Sequence, residues 1–342
     1  MKSALVVHPN FDFVWPFAAD HLRQLLALDG EVTFIRLSKD STQLLSDIVQ
    51  QPESYERLIS LRVPVTISCL ELFTNLEEVV IADKDYGFLQ KDSDTIDYLN
   101  KRGIRVYAQP TEGFWGQSVS EFALALTLCG LRRIPQTHHE IITSVHPWDY
   151  SPAGGDPIPN ARGQQFGDDV RFTNGTVEGK RVRIVGAGNI ASRYASFVHM
   201  LGADVAAWDP YASEPSFHRA GSRKEWHLER LVRDAEIFVP MVPLTEQTLG
   251  IITAENIGAL PQGTLVVLAT RAQICDMHEL RRRVLADELS LAADVFDIEP
   301  LPLDDPLLGR DNVVHTPHNA GRTKEANFQY AAKLYEQFIV RR

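Results

Sequence analysis

Arg181-Val182-Arg183-Ile184-Val185-Gly186-Ala187-Gly188-Asn189-Ile190-Ala191 is the stretch whose reading decides the fold. Its first five residues read as a buried strand, and 192–201 can be helical. Gly186 permits the tight turn between them, Gly188 lets the backbone approach a pyrophosphate, and a small Ala191 allows helix to pack on strand. Asp209 follows Gly186 by 23 residues, at the end of the next β-branched run. A carboxylate there accepts hydrogen bonds from ribose hydroxyls and repels a 2′-phosphate. Neighbouring Pro210 and Tyr211 bring no arginine, so the pattern selects NAD over NADP.

Outward from this loop, short β-branched runs alternate with helical or turn-rich sequence, the signature of parallel sheets built from crossovers. Four runs lie at 3–7, 32–37, 78–82 and 104–108, and six at 181–185, 204–208, 236–241, 264–269, 291–296 and 312–316. Six such strands suit a complete doubly wound dinucleotide fold. Residues 61–75 read either as strand then helix or as one irregular helix. Ser118-Val119-Ser120-Glu121 has the form of a capping box and predicts a helix over 122–131 that crosses from a first domain to a second. A helix beginning near Thr323 carries Ala326, Tyr330, Ala331, Leu334, Phe338 and Ile339 on one face, which returns the C-terminus to the first domain. The expected domains are therefore 1–117 with 320–342, and 118–319. The Gly, Pro and Asp-rich segment 147–176 is a loop insertion in the second, either a surface excursion or a flap or subunit contact.

Composition narrows the class. With 342 residues, 44% hydrophobic and 23% charged, the chain has the balance of a globular protein of two domains. A net charge of −11 and the lack of a basic stripe exclude a nucleic-acid binder. Arg281-Arg282-Arg283 and Arg341-Arg342 read as solvated helix ends. Cys69, Cys129 and Cys275 form no CxxC pair, no metal-ligand spacing is found, and no apolar stretch approaches the ~18 residues of a membrane span. With an N-terminal apolar run that ends at His8-Pro9-Asn10, too brief for a signal h-region, these features lead to the expectation of a cytoplasmic protein with no membrane partner.

Arg271, Glu299 and His318 each fall just after a strand of the second series, so a parallel sheet can bring them to one crevice. Their chemistry suits hydride transfer between a 2-hydroxy acid and its 2-oxo partner. Arg271 grips carboxylate and carbonyl oxygens with a planar fork, and His318 exchanges the hydroxyl proton. Glu299 orients the imidazole and favours its charged form.

These residues give the chain its resemblance to the D-isomer-specific 2-hydroxy acid dehydrogenases, over most of 76–330. The nucleotide loop, Asp209-Pro210-Tyr211, Pro243-Leu244-Thr245-Glu246-Gln247-Thr248, Ala269-Thr270-Arg271, Asp294-Val295-Phe296-Asp297-Ile298-Glu299-Pro300 and Thr316-Pro317-His318 resemble that family's motifs in order. The resemblance implies a Rossmann-like cofactor domain, a smaller flavodoxin-like substrate domain and a cleft between them. It also implies that Arg271, Glu299 and His318 are catalytic. Gly186, Gly188, Asn189, Ile190, Asp209, Val242, Pro243, Ala269, Thr270, Arg271, Asp294 and His318 would hold NAD, with Asp294 near the nicotinamide carboxamide. A homodimer around the helix after Ser120 is implied as well, while Glu299 argues against formate as substrate. The chain departs from the family at Ala191, Met241, Leu268 and Ala272, and most sharply at 82–87, where a Gly-rich carboxylate-binding loop is replaced by Ala82-Asp83-Lys84-Asp85-Tyr86-Gly87. Asp83 and Lys84, with Arg271, are the expected substrate contacts. Two functions fit: a 2-hydroxy acid dehydrogenase or 2-oxo acid reductase, or an NAD(H)-sensing binding protein like the corepressors that resemble this family. The aromatic residues of 11–17 and Phe114-Trp115 are either a pocket for an apolar substrate side chain or ordinary packing. Lys84 suits instead a second acidic group.

Overall fold

In the computed structural model, which describes residues 1–82, 93–109, 112–145, 147–148, 159–160, 163 and 166–338, the chain folds into two units. Met1–Trp115 with Arg322–Arg342 form one, and Gly116–Gly321 the other.

The first unit holds β1 (Ser3–Val7), β2 (Val32–Arg36), β3 (Arg57–Leu61), β4 (Glu78–Ala82) and β5 (Arg105–Tyr107), all parallel in the order β2-β1-β3-β4-β5. Strands β1, β3 and β4 are buried along their whole length, as expected of a sheet covered on both faces. The segment 61–75 resolves as strand then helix: β3 ends at Leu61, and the helix Ile67–Glu71 follows. β3 itself is absent from the sequence reading because Arg57 and Ser60 interrupt its apolar pattern. Arg57 is fully buried and survives there because its Nε donates to the equally buried Glu78 carboxylate at 2.8 Å.

The C-terminal helix Lys324–Tyr335 packs on the helix Ala18–Leu26 of the same unit, and Thr323 caps it by accepting from the Ala326 N–H at 3.0 Å. Phe338 is buried just beyond its end, while Ile339 lies outside the described residues. Phe11, Trp15, Phe114 and Trp115 are buried too. Trp15 stacks on Trp115 at 5.9 Å and on Tyr330 at 5.5 Å between ring centroids. These aromatics are core, and only Phe13 and Phe17 reach the surface.

The second unit holds β6 (Arg181–Val185), β7 (Asp204–Trp208), β8 (Arg223–Lys224), β9 (Ile237–Pro240), β10 (Leu265–Leu268), β11 (Ser290–Ala293) and β12 (Val313–His315). Their order is β12-β11-β10-β9-β6-β7-β8, all parallel. Strand order reverses at the β6/β9 boundary, the position where open α/β sheets bind ligands at their carboxyl edge.

The long helix of this unit runs Gly116–Arg132, so it begins before the expected capping box and Ser118 lies inside it. The Ser120 hydroxyl lies between the Gly116 carbonyl of its own helix at 2.5 Å and the Ile190 carbonyl at 3.0 Å, which brings this helix against the nucleotide loop. Close approach is enforced by two glycines. A Cβ on Gly116 would meet Asn189 Nδ2 at 2.5 Å, and one on Gly130 would meet Leu265 Cδ1 at 2.8 Å. Among the described residues of 159–176 there is no helix or strand. The end of that segment is pinned down by Thr173 N donating to the Gly263 carbonyl at 2.8 Å, and by Arg132 against Asp168 at 2.9 Å.

Candidate active site

Gly186 leaves β6 with φ 112°, a backbone conformation open to glycine, and a Cβ there would crowd Met241 O and Val242 Cγ1 at 3.2 Å. Gly188 then caps the helix Asn189–Met200, and nothing lies within 4 Å of where its Cβ would stand. An open space over the first turn of a helix, whose N–H groups have no intrahelical acceptor, fits a pyrophosphate. Asn189 is held by Arg193, whose Nε donates to Asn189 Oδ1 at 3.1 Å and whose Nη1 donates to Gln117 at 2.8 Å. Asp209 stands just past β7, and its carboxylate accepts from three backbone N–H groups: Ala187 at 2.9 Å, Tyr211 at 2.9 Å and Ala212 at 3.0 Å. The acidic residue therefore clasps the glycine loop. Val242 and Pro243 follow β9, with Val242 against Gly186. Ala269 and Thr270 follow β10, where Thr270 Oγ1 reaches the Pro240 carbonyl at 3.4 Å.

Arg271, Glu299 and His318 lie beyond the carboxyl ends of β10, β11 and β12, three neighbouring strands. His318 Nδ1 is 2.7 Å from Glu299 Oε2, and the other oxygen of Glu299 accepts from Phe296 N at 2.8 Å. With Nδ1 engaged, Nε2 is the nitrogen left to face a reactant. His318 has φ 53°, a conformation uncommon outside glycine. Asp294, fully buried at the end of β11, accounts for it. Its carboxylate accepts from Thr316 Oγ1 at 2.6 Å, Asn319 N at 3.0 Å and Ala320 N at 2.9 Å, bracketing His318 on both sides. Arg271 Nη1 donates to the Thr270 carbonyl at 2.7 Å. Asp83, Lys84 and the rest of 83–87 lie outside the described residues.

A cavity of about 320 Å³ opens at the loop itself, between Gly188, Arg193 and Arg219. A larger one, about 580 Å³, has Glu299 and His318 in its wall together with Phe296, Pro300, Leu301 and Leu308. The segment that builds it is clamped by Arg281. Its Nε donates to Asp297 at 3.0 Å, and its terminal nitrogens reach Asp305 at 3.1 and 2.8 Å. The guanidinium beside Asp305 holds that carboxyl below the usual carboxylate range. Arg281 is thus no solvated helix end, and neither is Arg283, which is buried and donates to the Ile257 and Leu260 carbonyls and to Glu288. Only Arg282 of the three points outward, paired with Glu279 and Glu288. No motif announces Arg281, because its partners stand 16 and 24 residues away.

Residues 158–320 match the family model described as D-isomer specific 2-hydroxyacid dehydrogenase, NAD binding domain. A D-3-phosphoglycerate dehydrogenase of Archaeoglobus fulgidus is 29% identical over 77% of this chain, and the chain spans 46% of that relative's length. A hydroxypyruvate reductase of Thermotoga maritima is 26% identical over 91% of this chain and 95% of its own. Two solved structures share the fold. A phosphoglycerate oxidoreductase from Rhizobium etli has a TM-score of 0.70 at 18% identity, covering 97% of this chain and 92% of that one. A D-lactate dehydrogenase from Treponema pallidum has 0.66 at 19%, covering 98% and 95%. Among the described residues, no helix is long and apolar enough to cross a membrane.

Proposed function

We propose that the chain, whose residues 158–320 match the NAD binding domain of the D-isomer specific 2-hydroxyacid dehydrogenases, is an enzyme of that family that interconverts a 2-hydroxy acid and its 2-oxo acid with NAD as cofactor. The observation that carries this reading is the His318–Glu299 pair at 2.7 Å on the carboxyl edge of the sheet. Held there, NAD would supply the acceptor for the hydride at C2 of the hydroxy acid, and NADH the donor for the reverse reaction. His318 Nε2 takes the hydroxyl proton in the first direction and gives it back in the second. Glu299 accepts a hydrogen bond from Nδ1–H, so it fixes the ring and stabilises the imidazolium formed as Nε2 becomes protonated. Arg271 binds the substrate carboxylate and polarises the carbonyl oxygen; a lysine would keep the charge and lose the fork. Gly186, Gly188, Asn189, Ile190 and Asp209 hold the adenosine and pyrophosphate portions.

The reading includes a homodimer. Leu128, Ile134, Ile141 and Ile142 are exposed on the helices Gly116–Arg132 and Ile134–Thr143, and such apolar surface marks protein contacts. It also includes a reducing, cytoplasmic setting, in keeping with the free Cys69, Cys129 and Cys275.

A screen of 2-oxo acids with NADH tests the reaction. The expected result is turnover that falls about 10²–10⁴-fold in His318→Ala, with NADH binding retained. NADH binding without turnover above that variant would sink the enzyme and favour an NAD(H)-sensing protein. Arg271→Lys is expected to lower kcat/KM at least ~10²-fold.

A further inference from the structure

The 580 Å³ cavity beside His318 has a wall whose chemistry specifies more than hydride transfer requires. Its volume falls within the roughly 300–1,000 Å³ of small-molecule sites. Phe296, Pro300, Leu301, Leu308 and Pro317 make most of the wall apolar. The charged group on it is the Glu299 carboxylate, and no lysine or arginine lines it among the described residues. His315 and Thr316 are the further polar groups on it beside His318.

The ring of His318 belongs both to the catalytic pair and to this wall. A carbonyl oxygen within about 2.6–3.2 Å of Nε2, the reach of proton transfer, keeps the substituent on the same carbon close to the His318 ring that the cavity shares. We propose that the cavity receives that substituent and selects 2-oxo acids with a branched aliphatic or aromatic side chain. This rests on the dehydrogenase reading and adds the substrate class to it. A phosphate or second carboxylate entering here would leave water, find no lysine or arginine among the described residues and face Glu299. A proton or methyl in its place would leave apolar wall unfilled, at about fourfold in affinity for each methylene not buried.

The test uses the whole chain with NADH. kcat/KM is measured for glyoxylate, pyruvate, 4-methyl-2-oxopentanoate, phenylpyruvate, oxaloacetate and 3-phosphohydroxypyruvate. The expected order rises from glyoxylate to the two apolar acids by at least ~10²-fold, the discrimination available to an apolar pocket. Oxaloacetate and the phosphorylated acid should lie below both apolar acids. Preference for a small or an acidic substrate would overturn the side-chain assignment and leave hydride transfer standing, whereas no turnover of any acid would overturn both. Leu301→Arg, checked for folding by its NADH affinity, supplies the missing cation. It is expected to move the oxaloacetate to phenylpyruvate ratio of kcat/KM upward at least ~10-fold, and an unchanged ratio would place the side chain elsewhere.

Discussion

A histidine at φ 53° stays there only if its surroundings hold it, and His318 is bracketed by three hydrogen bonds to one buried carboxylate. Asp294 is therefore a positioning residue for the imidazole. Asp294→Ala would strand the Thr316 hydroxyl and the Asn319 and Ala320 N–H groups without their acceptor, at about 1–3 kcal/mol for each one left buried. We expect Asp294→Ala to lower Tm by several degrees. Asp294→Asn keeps one oxygen acceptor, and it should cost kcat more than KM. Calorimetry and steady-state kinetics check the pair, and normal kcat in Asp294→Asn would remove the positioning role.

At the scale of elements, the segment after β11 owes its shape to Arg281 on the helix Met277–Leu285, since both Asp297 and Asp305 close on it. Arg281→Met should leave Asp305 buried without its cation and destabilise the protein by about 1–3 kcal/mol, with kcat/KM falling as Glu299 loses its footing. The sign of the pH dependence follows from the depressed carboxyl of Asp305. Its stabilising effect is complete above the unfolded value of about 3.9 and is lost as pH falls through the lower folded value. The Tm gap between wild type and Arg281→Met should therefore narrow below about pH 4; a constant gap down to pH 2 would contradict the clamp. Gly130→Ala, driven against Leu265, should cost about 1–3 kcal/mol by overpacking, read from denaturant midpoints.

The same scale explains which parts of the chain are legible beforehand. β6, the glycine loop and its helix can be read because turn chemistry and apolar period change within a few residues of one another. β3 hides because its buried charge is neutralised by Glu78, a partner 21 residues away on β4. The long helix starts at Gly116, where its backbone runs close to the Asn189 side chain, and that approach is tertiary. Of the site, the His318–Glu299 pair follows from strand order. The Asp294 bracket and the Arg281 clamp depend on loop paths that no spacing rule encodes.

For the whole molecule, ligand linkage and assembly are the measurable quantities. NADH at 100 times its Kd should stabilise the chain by about 2.7 kcal/mol. A shift of Tm with NADH that is much reduced in Gly188→Leu, where open space is needed, would place the pyrophosphate at this loop. Ile141→Asp combined with Ile142→Asp, both exposed on the helix Ile134–Thr143, should halve the mass in sedimentation if the proposed dimer uses that surface. A dimer that survives both changes would locate the contact elsewhere.

Asp209 finally bears on how readily this chain could change coenzyme. The carboxylate proposed to refuse an extra phosphate is also the clasp that gathers the Ala187, Tyr211 and Ala212 N–H groups. Exchanging it for a residue with no acceptor lifts the repulsion and frees all three N–H groups in one stroke. A single mutation toward the phosphorylated coenzyme thus forfeits the old ligand before gaining the new one. The two preferences are separated by a valley that only a compensated, multi-residue change can cross.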